Sequence, residues 1–205
     1  SSAASDVYKR QAGYGASNTN TYQGVITLTG NSTINSDNGT LTINSGGSIT
    51  SSGNHNITVG GAADININDP ISIGSGSITK VGDGVVQLQQ NNSYTGGTVL
   101  TAGTLAPYAI GAIGSNITFN GGAIRHYSTN TSDLYAKYIQ PVNGKSWRID
   151  PGGNTVNYSS SEVFEDVAGG TNGFEVTGSG TLVMDEAADS DTYSGTTVVS
   201  GGTLQ

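Results

Sequence analysis

Residues 162–191 hold eight carboxylates, Glu162, Glu165, Asp166, Glu175, Asp185, Glu186, Asp189 and Asp191, and no Lys or Arg. Four of them, Asp185, Glu186, Asp189 and Asp191, crowd into "DEAADSD". Several oxygen ligands on one loop is what a hard cation such as Ca²⁺ requires, so these four are the candidate metal ligands. They lack the Asp-x-Asp-x-Asp-Gly loop and the Gly-Gly-x-Gly-x-Asp nonapeptide that would organise them, and a solvated acidic loop is the favoured alternative. Asp64 and Asp69 bracket "INDP". A glycosidase pair would need carboxyls ~5–9 Å apart, whereas a turn at Asp69-Pro70 needs only the dipeptide. His55 in "SSGNHNITVGG" and His126 in "GGAIRHYS" have no partner motif nearby and read as surface or turn histidines. There is no Gly-x-Ser-x-Gly elbow and no P-loop, and "GSGS" (74–77) reads as a turn. No catalytic residue and no cofactor is assigned.

The 10 tyrosines are the remaining candidates, as packing groups at turns or as a platform for stacking sugars. What must position all of these is a chain in which Gly, Ser, Thr and Asn supply 101 of 205 residues. Hydrophobic residues are only 34 %, a balance that raises disorder as an alternative. Against disorder stand short alternating runs: "GVITLTG" (24–30), "GTLTINSGG" (39–47), "NITVGG" (56–61), "DININDPISIG" (64–74), "GSITKVGDGVVQLQ" (76–89), "GTVLTAGTLA" (97–106), "NITFNGGAIR" (116–125), "SWRIDPGGNTVNY" (146–158) and "GTLVMD" (180–185). In "DININ", Ile65 and Ile67 share one face and Asn66 and Asn68 the other. Helical spacing is confined to "SDLYAKYIQP" (132–141), where Leu134, Tyr135, Tyr138 and Ile139 fit a short turn or an irregular loop.

The net charge of −8 with only 7 Lys and Arg argues against nucleic acid and anionic membranes as partners. With no cysteine, stability must come from ladder and core rather than disulfides. No apolar run approaches the ~20 residues that span a bilayer. Residues 1–11 are set apart as a disordered, non-native tail, because "DVYKRQ" resembles a translated transposon-end adapter. Residues 12–205 are expected to form a single unit, an interior fragment of a longer chain.

Internal similarity organises that unit. Gly82-Asp83-Gly84 matches Gly178-Ser179-Gly180, and Leu88 matches Met184. Tyr94-Thr95-Gly96 matches Tyr193-Ser194-Gly195, Thr98 matches Thr197, and Gly103-Thr104-Leu105 matches Gly202-Thr203-Leu204. The second copy has three extra residues before its tyrosine, a variation that surface turns tolerate. Repetition of short strands and Gly turns favours a solenoid, whose windings cannot bury an apolar face unless they stack. The four Asn-Gly dipeptides at 38, 120, 143 and 172 keep an antiparallel sandwich as the alternative. The expectation is an all-β parallel β-helix of ~20–25 residues per winding.

At these residues the chain resembles a family. "ITKVGDGVVQLQQNNSYTGGTVLTAGTLA" is similar to the passenger-associated transport repeat of bacterial autotransporters, placing the motifs at 78–106 and 174–205. The resemblance implies a right-handed parallel β-helix exported by type V secretion to the surface of, or away from, a Gram-negative bacterium. It also implies a partner, the protein's own C-terminal membrane β-barrel, which is absent from these residues. Three functions are then open. A structural stalk segment that supports export and display follows from the duplicated motif. A module binding a host or glycan surface would show binding that depends on exposed tyrosines. A polysaccharide-active enzyme would need acids converging in one groove.

Overall fold

The computed structural model describes residues 19–44, 46–127, 134, 137, 141–158, 164–184 and 191–205. Four sheets hold the described strands, and every strand pairing in them is parallel. The longest has nine strands in the order β1 (Thr19–Gln23), β4 (Thr40–Asn44), β7 (Ile65–Ile67), β10 (Val85–Leu88), β12 (Thr104–Pro107), β14 (Ala123–Arg125), β15 (Ser146–Asp150), β17 (Gly173–Val176) and β19 (Thr197–Val199). A second stacks β3 (Ser32–Asn35), β6 (Ile57–Gly60), β9 (Ile78–Val81), β11 (Thr98–Leu100) and β13 (Ile117–Phe119). Two three-stranded sheets, β2 (Ile26–Leu28), β5 (Ile49–Ser51) and β8 (Ile71–Ser72), then β16 (Thr155–Tyr158), β18 (Thr181–Met184) and β20 (Thr203–Leu204), complete the windings.

The chain is a parallel β-solenoid. Hairpins require antiparallel neighbours, so the sandwich alternative falls. At Asn38-Gly39 and Asn143-Gly144 the glycines take φ of +72° and +75° at corners, not at hairpin tips. Winding length varies: Thr104 pairs with Ala123, 19 residues on, and Ser146 with Gly173, 27 on.

Alternation decides which side chains face inward, and parallel pairing stacks like on like. One interior column runs Leu41, Ile65, Val86, Leu105, Ile124, Ile149, Val176 and Val199. Those from Ile65 to Val176 are completely buried. Burying a side chain of this size stabilises by roughly 1.5–3 kcal/mol, so even a chain with few apolar residues gains a continuous core when they stack in this narrow interior.

Beyond Arg125 the windings change. After its corner, β14 pairs with the far end of β15, Ile124 to Ile149 and Arg125 to Asp150, while the near end of β15 pairs with β17. The Val142 N–H meanwhile reaches the Phe119 carbonyl, 2.9 Å away. The corner therefore moves along the winding between residues 122 and 151, and the long sheet follows two different faces of the repeat. The interior changes with it. Trp147, Phe174 and Phe164 meet edge to face, with ring centroids 5.2 and 5.0 Å from Phe164, and Tyr158 lies 6.0 Å from Phe164. Wider windings need larger fillers, and aromatic rings supply them.

His126 is a correction. It is buried, 1 % exposed, not at the surface. Its N–H lies on the Asp150 carbonyl at 2.8 Å, and its ring Nε2 is 3.1 Å from the Tyr158 hydroxyl. The shifted corner carries strand pairing one residue past β14 and turns this side chain inward. Of the proposed helical turn, Tyr135, Tyr138 and Ile139 lie outside the described residues; Leu134 is fully buried.

Candidate functional site at the repeat turns

The Gly-x-Gly corner of the first motif is built by close approach. Gly82 takes φ +66°, and a Cβ there would overlap the Gly61 carbonyl of the preceding winding. The Gly84 N–H donates to that same carbonyl at 3.0 Å. Gly103, φ +61°, stacks over Gly82 in turn. Only glycine meets both demands, the left-handed backbone and the missing side chain.

Beneath this corner lies Lys80. It occupies an interior column between Val59 and Leu100 and is completely buried. Its ammonium donates to the carbonyls of Val81 at 2.8 Å, Gly82 at 2.8 Å and Ala102 at 3.0 Å. Burial lowers its pKa to about 8, while Asp83 and Asp64 act in the opposite direction. One cation thus satisfies three corner carbonyls on two windings.

The second motif fills the same place differently. Val176 stands where Lys80 stood, 96 residues on as Gly178 is from Gly82. Its corner closes on a carboxylate instead. Asp150, 3 % exposed, sits against the Cα of Gly178, accepts the Gly152 N–H at 2.8 Å and pairs with the Arg125 guanidinium at 2.5 Å. Gly178, Gly180 and Gly202 keep positive φ of +71°, +101° and +67°.

The Tyr-x-Gly turns match closely. The Tyr94 hydroxyl is 2.6 Å from Thr98 Oγ1, and the Tyr193 hydroxyl 2.7 Å from Thr197 Oγ1. Tyr94 is fully buried, and burial raises its pKa; Tyr193 is half-buried and stacks on Phe174 at 6.0 Å. Gly96 and Gly195 each press on the winding before, Gly96 so near that a Cβ would lie 2.5 Å from the Ser75 carbonyl oxygen. The closing Gly-Thr-Leu then returns to the start. Thr104 and Leu105 pair with Val85 and Val86, and Thr203 and Leu204 pair with Thr181 and Leu182. Each motif is therefore one winding that lands on itself, with Leu88 buried and Met184 half-buried at its far end.

The second motif carries an additional clip. The Asp166 carboxylate accepts the N–H of Asn172 at 2.6 Å and of Ser194 at 2.9 Å, and its pKa is lowered, chiefly by the Ser194 hydroxyl. Fully buried Asn172 donates to the carbonyls of Val142 at 3.0 Å and Lys145 at 2.9 Å. Outside, Arg148 forks onto its register partner Glu175 at 2.7 and 3.4 Å and lowers that carboxyl's pKa.

Two further acids, Asp64 and Asp69, hold backbone through one oxygen each, and the second oxygen of Asp69 is buried with no hydrogen-bond partner. Asp64 accepts the Val85 N–H at 2.8 Å on the next winding, and Asp69, 2 % exposed, accepts the Gly47 N–H at 3.3 Å on the one before. Asp185, Glu186 and Asp189 lie outside the described residues, as does Glu162. Asp191 accepts the Phe164 N–H at 2.8 Å. Among the described residues no group of three or more His, Asp or Glu is gathered as a metal would need. His55 is half-buried in a loop.

Sequence reasoning passed over Lys80, Asp150 and Asn172. For Lys80 the signal was present: in "ITKV" the parity that buries Ile78 also buries residue 80. For Asp150 and Asn172 their local partners look like ordinary turn contacts, while Arg125 and the Val142 and Lys145 carbonyls come from other windings.

The passenger-associated-transport-repeat family model matches residues 78–106 and 174–205, so the chain carries two such repeats. The Adhesin BmaC autotransporter of Brucella suis biovar 1 (strain 1330) is 29 % identical over 151 residues. The match covers 72 % of this chain but 4 % of that protein's length. No solved structure matches.

Proposed function

We propose that this autotransporter passenger segment, with its two transport repeats, is a structural length of stalk that holds more distal parts of its protein away from the cell and supports their export. The observation that carries the proposal is the self-landing winding. Each repeat closes onto the strand that follows its own Gly-x-Gly corner and presents a fresh parallel edge to the next winding, so the chain adds length one winding at a time. The interior is filled by side chains, and Asp64, Asp150, Asp166, Glu175 and Asp191 are engaged by backbone amides or arginine. We therefore read the segment as non-enzymatic.

The matched relative is named as an adhesin. In a protein of that kind this segment would serve adhesion by spacing, with a C-terminal membrane β-barrel as its export partner and the surface of a Gram-negative cell as its location. No described helix is long and apolar enough to cross a membrane.

The test is surface display through an autotransporter barrel, with an epitope tag at the N-terminal end of the chain. Removing residues 82–177 joins equivalent points of the two repeats. A stalk predicts that the tag stays accessible to antibody but lies closer to the membrane, by about the strand spacing for each winding lost. Loss of display on this in-frame excision would contradict the proposal.

A further inference from the structure

The outer face of the long sheet carries one column that the stalk role does not use. Register places Gln23 beside Asn44. Extending the pairings of Ile43 with Ile67, Ile67 with Leu88, Leu88 with Pro107 and Leu105 with Ile124 aligns Asn44, Asn68, Gln89, Tyr108 and Tyr127 in turn. The column thus has one side chain per winding, four carboxamides followed by two phenols.

Its groups are only partly spent on each other. Asn68 donates to Asn44 Oδ1 at a long 3.3 Å. Gln89 turns sideways, donating to Gln87 Oε1 at 3.1 Å and reaching the Tyr127 hydroxyl at 3.4 Å, while that hydroxyl donates to Gln87. This network sets the Tyr127 ring 5.9 Å from that of Tyr108, tilted by 58°. Tyr108 is 42 % exposed, and Ile110, two residues on, is 39 % exposed. The Asn66 Oδ1 atom, on the adjoining outward position, is buried with no hydrogen-bond partner.

We propose that this column is a binding track for a linear, uncharged glycan lying along the solenoid axis. Three features select that ligand. The exposed Tyr108 ring, backed by half-buried Tyr127, offers a flat face to the C–H faces of sugar rings while keeping a polar edge for hydroxyls. Each carboxamide offers donors and an acceptor side by side, matching neighbouring sugar hydroxyls. The column carries no charge, in a chain whose net charge is −8, and Arg125 and Asp150 on the windings that follow are paired with one another. A sulfated or carboxylated glycan would find no unpaired cation among the described residues of this column. Periodic contact points at the ~4.8 Å strand spacing suit a repeating polymer better than a compact ligand.

The experiment is saturation-transfer NMR on the whole chain, with uncharged β-linked glucan and chitin tetrasaccharides as probes and a hyaluronan fragment as the charged control. Saturation should pass to the sugar C–H protons of at least one uncharged probe. Tyr108→Ala should weaken binding about tenfold with an unchanged melting temperature, since that ring is exposed. Val198→Ser, exposed on β19 three strands beyond β14, should leave binding as it was. The proposal is overturned by no transfer to either uncharged tetrasaccharide, by binding that Tyr108→Ala leaves intact, or by tighter binding of hyaluronan. It is likewise overturned if Gln89→Ala lowers only the melting temperature, which would make the column a structural amide ladder.

Discussion

The buried ammonium of Lys80 donates to the carbonyl of Ala102, 3.0 Å away on the next winding. A charge thus stands in the middle of an aliphatic column, and its folded pKa of about 8 lies below the ordinary lysine value. Between about pH 8 and 10 the unfolded chain binds the proton that the folded chain has released, so stability rises with pH across that window. Below that window the buried charge is a net cost to the fold. Denaturant unfolding from pH 7 to 10.5 should show this rise in the native chain and lose it in Lys80→Met. A Lys80→Met variant with the same slope would show that the side chain is solvated.

Two glycines with nearly equal φ separate close approach from backbone strain. Gly144, φ +75°, has open space where a Cβ would be, whereas Gly82, φ +66°, abuts the Gly61 carbonyl. Gly144→Ala should cost about 1 kcal/mol. Gly82→Ala should cost more than about 3 kcal/mol, because backbone must move. Chemical denaturation of both variants measures the gap, and equal losses would remove the close-approach argument.

The two tyrosine–threonine pairs have the same geometry in different surroundings. Tyr94→Phe leaves Thr98 Oγ1 without its partner in the interior and should cost about 1–2 kcal/mol. Tyr193→Phe, at a half-exposed turn, should change stability by less than about 0.5 kcal/mol.

Acid should open the second repeat first. Asp166 has a folded pKa below its ordinary value, so its contribution is complete above the unfolded pKa and is lost as pH falls through the folded one. Glu175, held down by Arg148, behaves likewise. The protection of the Asn172 and Ser194 amides, taken relative to the intrinsic exchange rate at each pH, should therefore fall on acidification before that of Ile65 does. Asp166→Asn should show the fast exchange already at neutral pH.

The fold was legible in the sequence to the extent that it is local. Alternation placed Ile65 and Ile67 inward, and Gly82, Gly96 and Gly103 marked turns because only glycine survives there. The repeat at 178–204 exposed the solenoid without any structure. What could not be read depends on neighbours 19 to 32 residues away. Nothing near Arg125 announces Asp150, and nothing near His126 announces Tyr158, because the corner shift after residue 122 decides those meetings. Lys80 failed for another reason. Residue type argued for solvent and parity for the interior, and parity prevailed because three carbonyls waited there.

The stacking of parallel windings is tested most directly by paired cysteines, since the chain has none of its own. Thr27 and Thr50 hold their hydroxyl oxygens 3.3 Å apart on adjacent windings, and Ser72 and Ser93 hold theirs 2.8 Å apart. Under mild oxidation, Thr27→Cys with Thr50→Cys, and Ser72→Cys with Ser93→Cys, should each close an intramolecular disulfide, while Thr27→Cys with Ser93→Cys should stay reduced. Closure of the mixed pair, with both register pairs left as free thiols, would contradict the solenoid and the stalk built on it.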